Sequence, residues 1–307
     1  MARPVELGHD AAMGEALEDG VIGGARALAR VVEPFHGITY YSRELADMRP
    51  HGYRGWWHAY FGYRPAPLGP VGAATVTAIF YNFAPRMVAK AVPDVWAIRS
   101  PADTIELRNE LVAKTLHRLY GDGGQRQAIS TAADLIRRAL DGCDVAGRPL
   151  FAACTELEWP DDDALALWHG CTLSRELRGD SHNLALASAE VDGVMSHILM
   201  AGRGHGNRPT ILAIRGWTEQ EWEDGVRRLT ERGWTKPDGS LTEAGNEARS
   251  AIERHTDALA LEPITRLGVD SFDRLLGVMN PLVENLRQSD EVSGRWPPSH
   301  LIKPSDE

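Results

Sequence analysis

The chain has 307 residues, 43% hydrophobic and 25% charged, the balance of a globular protein that buries a core in one large domain or two ordinary ones. Its net charge of −10 and its pI of about 5.6 argue against holding nucleic acid as its main task. No apolar run reaches the roughly 18–20 residues of a membrane span, the first residues lack the apolar region of a secretory signal, and Cys143, Cys154 and Cys171 are too scattered for a disulfide framework or a zinc knuckle.

Helical periodicity dominates. Residues 23–41, GGARALARVVEPFHGITYY, read as a helix that meets Pro34. Glu33, His36 and Tyr40 share one helical face there and form a candidate pocket wall, with Glu33–His36 as a possible proton-moving pair. Residues 52–72, GYRGWWHAYFGYRPAPLGPVG, are too rich in Gly, Pro and aromatics for one regular helix. Rings with polar tips suit a small-molecule pocket, so Arg54, Trp57 and Tyr60 are candidate substrate contacts. Asn82, inside the apolar run FYNFAP, needs a partner and joins them.

Ile105, Leu107, Leu111, Val112, Leu116 and Leu119 make a helical stripe that ends at Gly121. Residues 128–142 form a second amphipathic helix, and a domain boundary is expected between 142 and 160. Pro160 and three aspartates then start another helix.

The charged stretch 173–184, LSRELRGDSHNL, comes next. The apolar stripe of the preceding helix runs into Arg175, Glu176 and Arg178. Gly179 is expected to break the helix, and Asp180 or Ser181 to cap the next one. The plain reading is a capped turn. The functional one has Arg175 and Arg178 binding a carboxylate or phosphate, with Glu176 beside them and Asp180–His182 as an acid/base pair. His169 belongs to the same candidate substrate site. His36, His169 and His182 could share a metal only by converging in space. No metal motif or nucleotide-binding loop is present, so no cofactor is expected.

Residues 218–259 read as helix, short strand, tight turn, short strand, helix. Thr218 and Glu221 have capping-box spacing, Gly233 ends the first helix, and Pro237-Asp238-Gly239 make the turn. Residues 269–287 are a final amphipathic helix suited to a homodimer, and 288–307 a loosely ordered tail.

The run 215–245 resembles the recognition-helix and wing segment of MarR-type winged helices. FHGITYYSRE, FYNFAP, the aromatic segment and LFAACTELEWPDDDALALWHGCTLSRELRGDSH resemble an actinobacterial helix-turn-helix family over most of residues 25–285. Such relatives place His and Gly where Leu177 and Ser181 stand, so this chain lacks any chemistry that His supplies.

The sequence therefore predicts a mainly α protein: a helical, aromatic-rich N-terminal domain over 1–150 and a winged-helix-like C-terminal domain with a small β-wing over 151–287. It is expected to be cytoplasmic, off the membrane and dimeric. The leading function is binding of a polar or anionic metabolite of secondary metabolism, with cofactor-free acid/base chemistry as one use of the site. The alternative is a MarR-like, ligand-responsive transcriptional regulator with Arg227, Arg228, Arg232 and Lys236 on DNA. Acids at the start of that recognition helix disfavour it.

Overall fold

The structure, a computed structural model, describes the backbone over residues 8–289 and side chains over 23–289. The tail expected at 288–307 lies almost wholly outside the described residues. The helices in chain order begin with α1 (Gly8–Tyr41), α2 (Arg43–Ala46), α3 (Trp56–Tyr63), α4 (Ala73–Phe80), α5 (Pro85–Ala89) and α6 (Val95–Ile98). Then come α7 (Pro101–Tyr120), α8 (Arg126–Leu140), α9 (Pro149–Thr155), α10 (Asp163–Ser188) and α11 (Gly193–Ala201). The chain closes with α12 (Arg208–Arg215), α13 (Glu219–Glu231), α14 (Glu243–Leu259), α15 (Glu262–Leu267) and α16 (Val269–Gln288).

Local chemistry sets many of these boundaries. Ser100 caps α7 by accepting from the Asp103 amide, with Pro101 at the first helical position. Asp162 caps α10 through the Leu165 amide at 2.8 Å. Thr218 and Glu221 form the full reciprocal capping box of α13. Thr242 caps α14. α1 does not stop at Pro34 but runs through it to Tyr41.

The small β-wing expected after α13 is absent. The described residues contain no β-strand, and a single antiparallel bridge joins Thr235 to Leu241. The reason is length. Gly233 closes α13 on one side, and Thr242 already caps α14 on the other. The arms around the turn at 236–240 are too short for a ladder.

Two apolar clusters organise the molecule. The larger gathers α1, α3, α4, α7, α8 and the first half of α10, closed by α15 and α16. The smaller gathers Ala185 and Leu186 at the end of α10 with Val194, Ile198, Ile211, Trp222, Leu229 and Ile252 from α11 to α14. α16 packs on α1 and α8 of the same chain. No single described helix is long and apolar enough to cross a membrane.

α10 is the shared element. Gly170 lets it approach α8, because a Cβ there would lie 2.5 Å from Ile136 Cγ2. Gly170→Ala is expected to cost about 1–3 kcal/mol through overpacking, read by urea denaturation. Unchanged stability would mean that the two helices can separate freely.

Candidate functional site

The charged stretch is no turn. α10 continues unbroken through Gly179 to Ser188. Its Ala166–Leu177 portion joins the larger apolar cluster, and Ala185 and Leu186 join the smaller. Residues 178–183 belong to neither. The polar stretch is the part of α10 that crosses the seam between two cores. Gly179 costs the helix about 1 kcal/mol relative to alanine, but the missing side chain leaves room for Arg175, whose Nη1 would sit 3.2 Å from a Cβ.

Several of these polar groups are satisfied from other helices. Asp180 Oδ2 accepts the Leu150 and Phe151 amides, both at 2.9 Å, at the start of α9. Burial pushes its carboxyl up to about 6, with the two amides opposing. His182 Nδ1 lies 2.9 Å from Thr256 Oγ1, whose hydroxyl donates to the Ile252 carbonyl at 2.8 Å. The imidazole therefore donates through Nδ1. Burial holds its pKa down to about 4, so it is neutral at pH 7. Arg178 pairs with buried Asp257 at 2.7 Å and with Glu253 at 3.5 Å.

On one side of α10 lies a cavity of about 330 Å³, near the lower size limit of small-molecule sites. Tyr40, Trp56, Trp57, Tyr60, Phe80 and Phe83 give it aromatic walls. Arg64, Arg175 and Arg215 enter it from three different helices or their ends. Glu176, 2% exposed, joins Arg64 and Arg175. Its two oxygens accept Arg64 Nε at 3.0 Å and Nη2 at 2.9 Å, and Arg175 Nη1 at 2.8 Å. Burial alone would raise this carboxyl, but Arg64 and Arg175 outweigh it and hold it well below the usual carboxylate range.

The arginines are also shaped by the rings. The Arg64 guanidinium lies 4.3 Å from the Phe80 ring centre and donates to Tyr60 Oη at 2.7 Å. Arg215 lies 4.2 Å from the centre of the Phe83 ring. Burial brings the pKa of Arg215 down to about 10, which leaves it charged at neutral pH. Behind the wall, His36 Nε2 meets Tyr40 Oη at 2.7 Å and Nδ1 meets Thr172 Oγ1 at 3.2 Å. Burial keeps His36 neutral, well below its ordinary pKa.

The structure thus brings together Glu33, Tyr40, Trp57, Tyr60, Asn82, Arg175, Asp180 and His182. Glu176 lies among the arginines and His36 behind Tyr40. Arg178 faces α14 instead. Arg54 is exposed and pairs with Asp94 and the Lys90 carbonyl. His169 packs edge-on against Trp159, its ring centre 4.9 Å away, and burial takes its pKa down to about 3. Asn82 contributes its main-chain carbonyl, which accepts from Trp217 Nε1 and His197 Nε2, both at 3.0 Å. Among the described residues no group of three or more His, Cys, Asp and Glu side chains is placed to hold a metal ion.

Sequence reasoning chose Arg54 over Arg64 and left Arg215 out of the site. The helical spacing of Trp57, Tyr60 and Arg64 puts them on one face of α3 and its C-cap, which would have favoured Arg64. No comparable signal marks Arg215, whose cavity neighbours come from distant segments.

Three of the four basic residues offered to DNA are engaged elsewhere. Arg227 pairs with Glu231 at 3.0 Å and Asp224 at 3.6 Å. Arg228 pairs with Asp192 at 2.6 Å. Arg232 donates to the Ala189 and Glu190 carbonyls at the end of α10. Lys236 is exposed on the turn. A groove of about 750 Å³ runs between α13 and that turn, with Arg208, Arg227, Glu223, Glu231 and Asp238 on its edges.

A family model described as a helix-turn-helix family matches residues 25–293, and the chain belongs to that family. No curated protein and no solved structure matches the chain. The family match spans both apolar clusters, so the cavity is part of the family unit and not an appendage to it.

Glu176→Ala removes the carboxylate that keeps two guanidiniums apart in a buried space. It is expected to destabilise the fold by about 3–5 kcal/mol, measured by urea unfolding. A loss under about 1 kcal/mol, the worth of a surface pair, would show that water already screens the cluster.

Proposed function

We propose that the protein binds a small planar anion, an aromatic carboxylate, in the cavity between its helical body and its helix-turn-helix segment. The observation that carries this reading is the convergence of Arg64, Arg175 and Arg215 on one aromatic-walled cavity. Glu176 already has both oxygens engaged, and the Asp180 carboxylate is committed to the α9 amides. The third carboxylate at the cavity, Glu33, is 65% exposed and meets Arg175 only at 3.8 Å, so a ligand carboxylate competes with a solvated side chain for guanidinium groups, which bind carboxylates bidentately, beside rings that stack on a flat ligand. Arg215 is the last residue of α12, so a ligand held by it would also tie the helix-turn-helix segment to the larger core.

Binding is favoured over turnover. Asp180 points its charge at α9, and His182 and His36 are neutral rings paired with Thr256, Tyr40 and Thr172. Neither the Asp180–His182 nor the Glu33–His36 pair forms a hydrogen bond among those described. In calorimetry, benzoate should bind and neutral benzamide should bind far more weakly. Arg215→Gln should weaken benzoate by about 10- to 100-fold, the worth of one charged hydrogen bond. Equal affinity for acid and amide would contradict the reading.

Family membership favours a second reading, a ligand-responsive regulator that holds DNA through α13 and the turn after it. The engaged state of Arg227, Arg228 and Arg232, with five acids on α13, opposes it electrostatically. Duplex titrations at about 50 and about 200 mM salt separate the two. Weak binding, with a Kd above roughly 10 μM at the higher salt, is expected. Submicromolar binding that falls steeply with salt would establish the regulator.

A further inference from the structure

A second cavity, of about 230 Å³, lies against the first. Four residues line both: Glu33, Arg175, Gly179 and His182. The partition between the two is therefore thin. At Gly179 the partition is a single side chain deep, because the Arg175 guanidinium, held by Glu176 at 2.8 Å, takes the room that a Cβ would fill. Arg175 is 25% exposed on its side chain, and its contact with Glu33, 65% exposed, is a loose 3.8 Å. An anion reaching Arg175 competes there with a solvated partner.

The second cavity differs in chemistry from the first. One part of its wall is apolar: Ala25, Leu28 and Val32 from α1, Leu177 from α10, and Ala260 and Pro263 beyond α14. The rest is polar, with Glu33, Ser174, Arg175, Arg178, His182 and Glu253. Arg178 is held by Asp257 and Glu253, and His182 by Thr256. The apolar part is the surface that an uncharged arm would cover.

We infer that the two cavities are halves of one site, and that the ligand is an aromatic carboxylate carrying an apolar arm. The head stacks among Tyr40, Tyr60 and Phe80 with its carboxylate on the arginines. The arm takes the place of the Arg175 guanidinium over Gly179, with Arg175 turned to the carboxylate, and fills the space between α1 and Ala260. This inference rests on the anion-binding reading of the first cavity and adds the shape of the ligand to it.

The test is calorimetric titration of benzoate and 4-butylbenzoate into the full chain and into Ala29→Phe, which places a ring in the second cavity from the half-exposed side of α1. Ala260→Met fills the same space from the opposite wall, should the first variant fold poorly. In the unmodified protein the butyl arm should tighten binding by tens-fold or more, since one buried methylene is worth about fourfold. In either filled variant benzoate should bind unchanged, and the gain from the butyl arm should shrink to roughly twofold or less. Benzoate binding with no gain from the arm overturns the joined site alone. So does a gain that survives both filled variants. Failure of both probes to bind removes the anion site itself and the joined site with it.

Discussion

Glu176 is the constraint on which the rest of the site depends. A carboxylate with 2% exposure survives in a protein interior only if its charge is matched and its lone pairs are used. Here two arginines do both, one the sequence neighbour of Glu176 and the other 112 residues away. The pairing fixes where Arg64 and Arg175 stand, and their positions fix the cavity beside them. Tyr60 is oriented by Arg64, and Phe80 and Phe83 receive the flat faces of Arg64 and Arg215. The cavity is thus a consequence of how one buried charge is satisfied.

The reason the charge is there lies in the course of α10. A 26-residue helix that serves two apolar clusters must cross the gap between them. In that gap its side chains meet helix ends and polar groups as well as apolar ones. Asp180 answers the free amides of α9, Ser181 and Arg148 meet the Leu259 carbonyl, and His182 meets α14. The seam is also where the smaller cluster, built from α11 to α14, joins the larger core. A ligand placed there touches both parts, which is what a protein that reports on ligand occupancy requires.

Much of the scaffold was legible. Amphipathic stripes located α7, α8 and α16, and capping residues located α13, because each signal is local to a few residues. The charged stretch misled for the opposite reason. Arg175, Gly179 and Asp180 look like a helix end because solvent is the usual partner of such residues. Their real partners, such as Leu150, Thr256 and Asp257, lie far away in sequence and carry no local mark. The β-wing failed on geometry: the turn chemistry was right, but Gly233 and Thr242 leave no residues for paired strands. The aromatic segment lines a cavity, yet the arginine on the solvent side, Arg54, was indistinguishable from the one inside, Arg64, without the helical register of α3.

The most direct measurement is a crystal structure with 2-naphthoate bound, read at its carboxylate. The carboxylate should lie within hydrogen-bond distance of at least two of Arg64, Arg175 and Arg215, with the rings stacked among Tyr40, Tyr60 and Phe80. Ligand density in the α13 groove instead, or an empty cavity with all three arginines unmoved, would contradict the assignment and leave the arginine cluster as a device of folding alone.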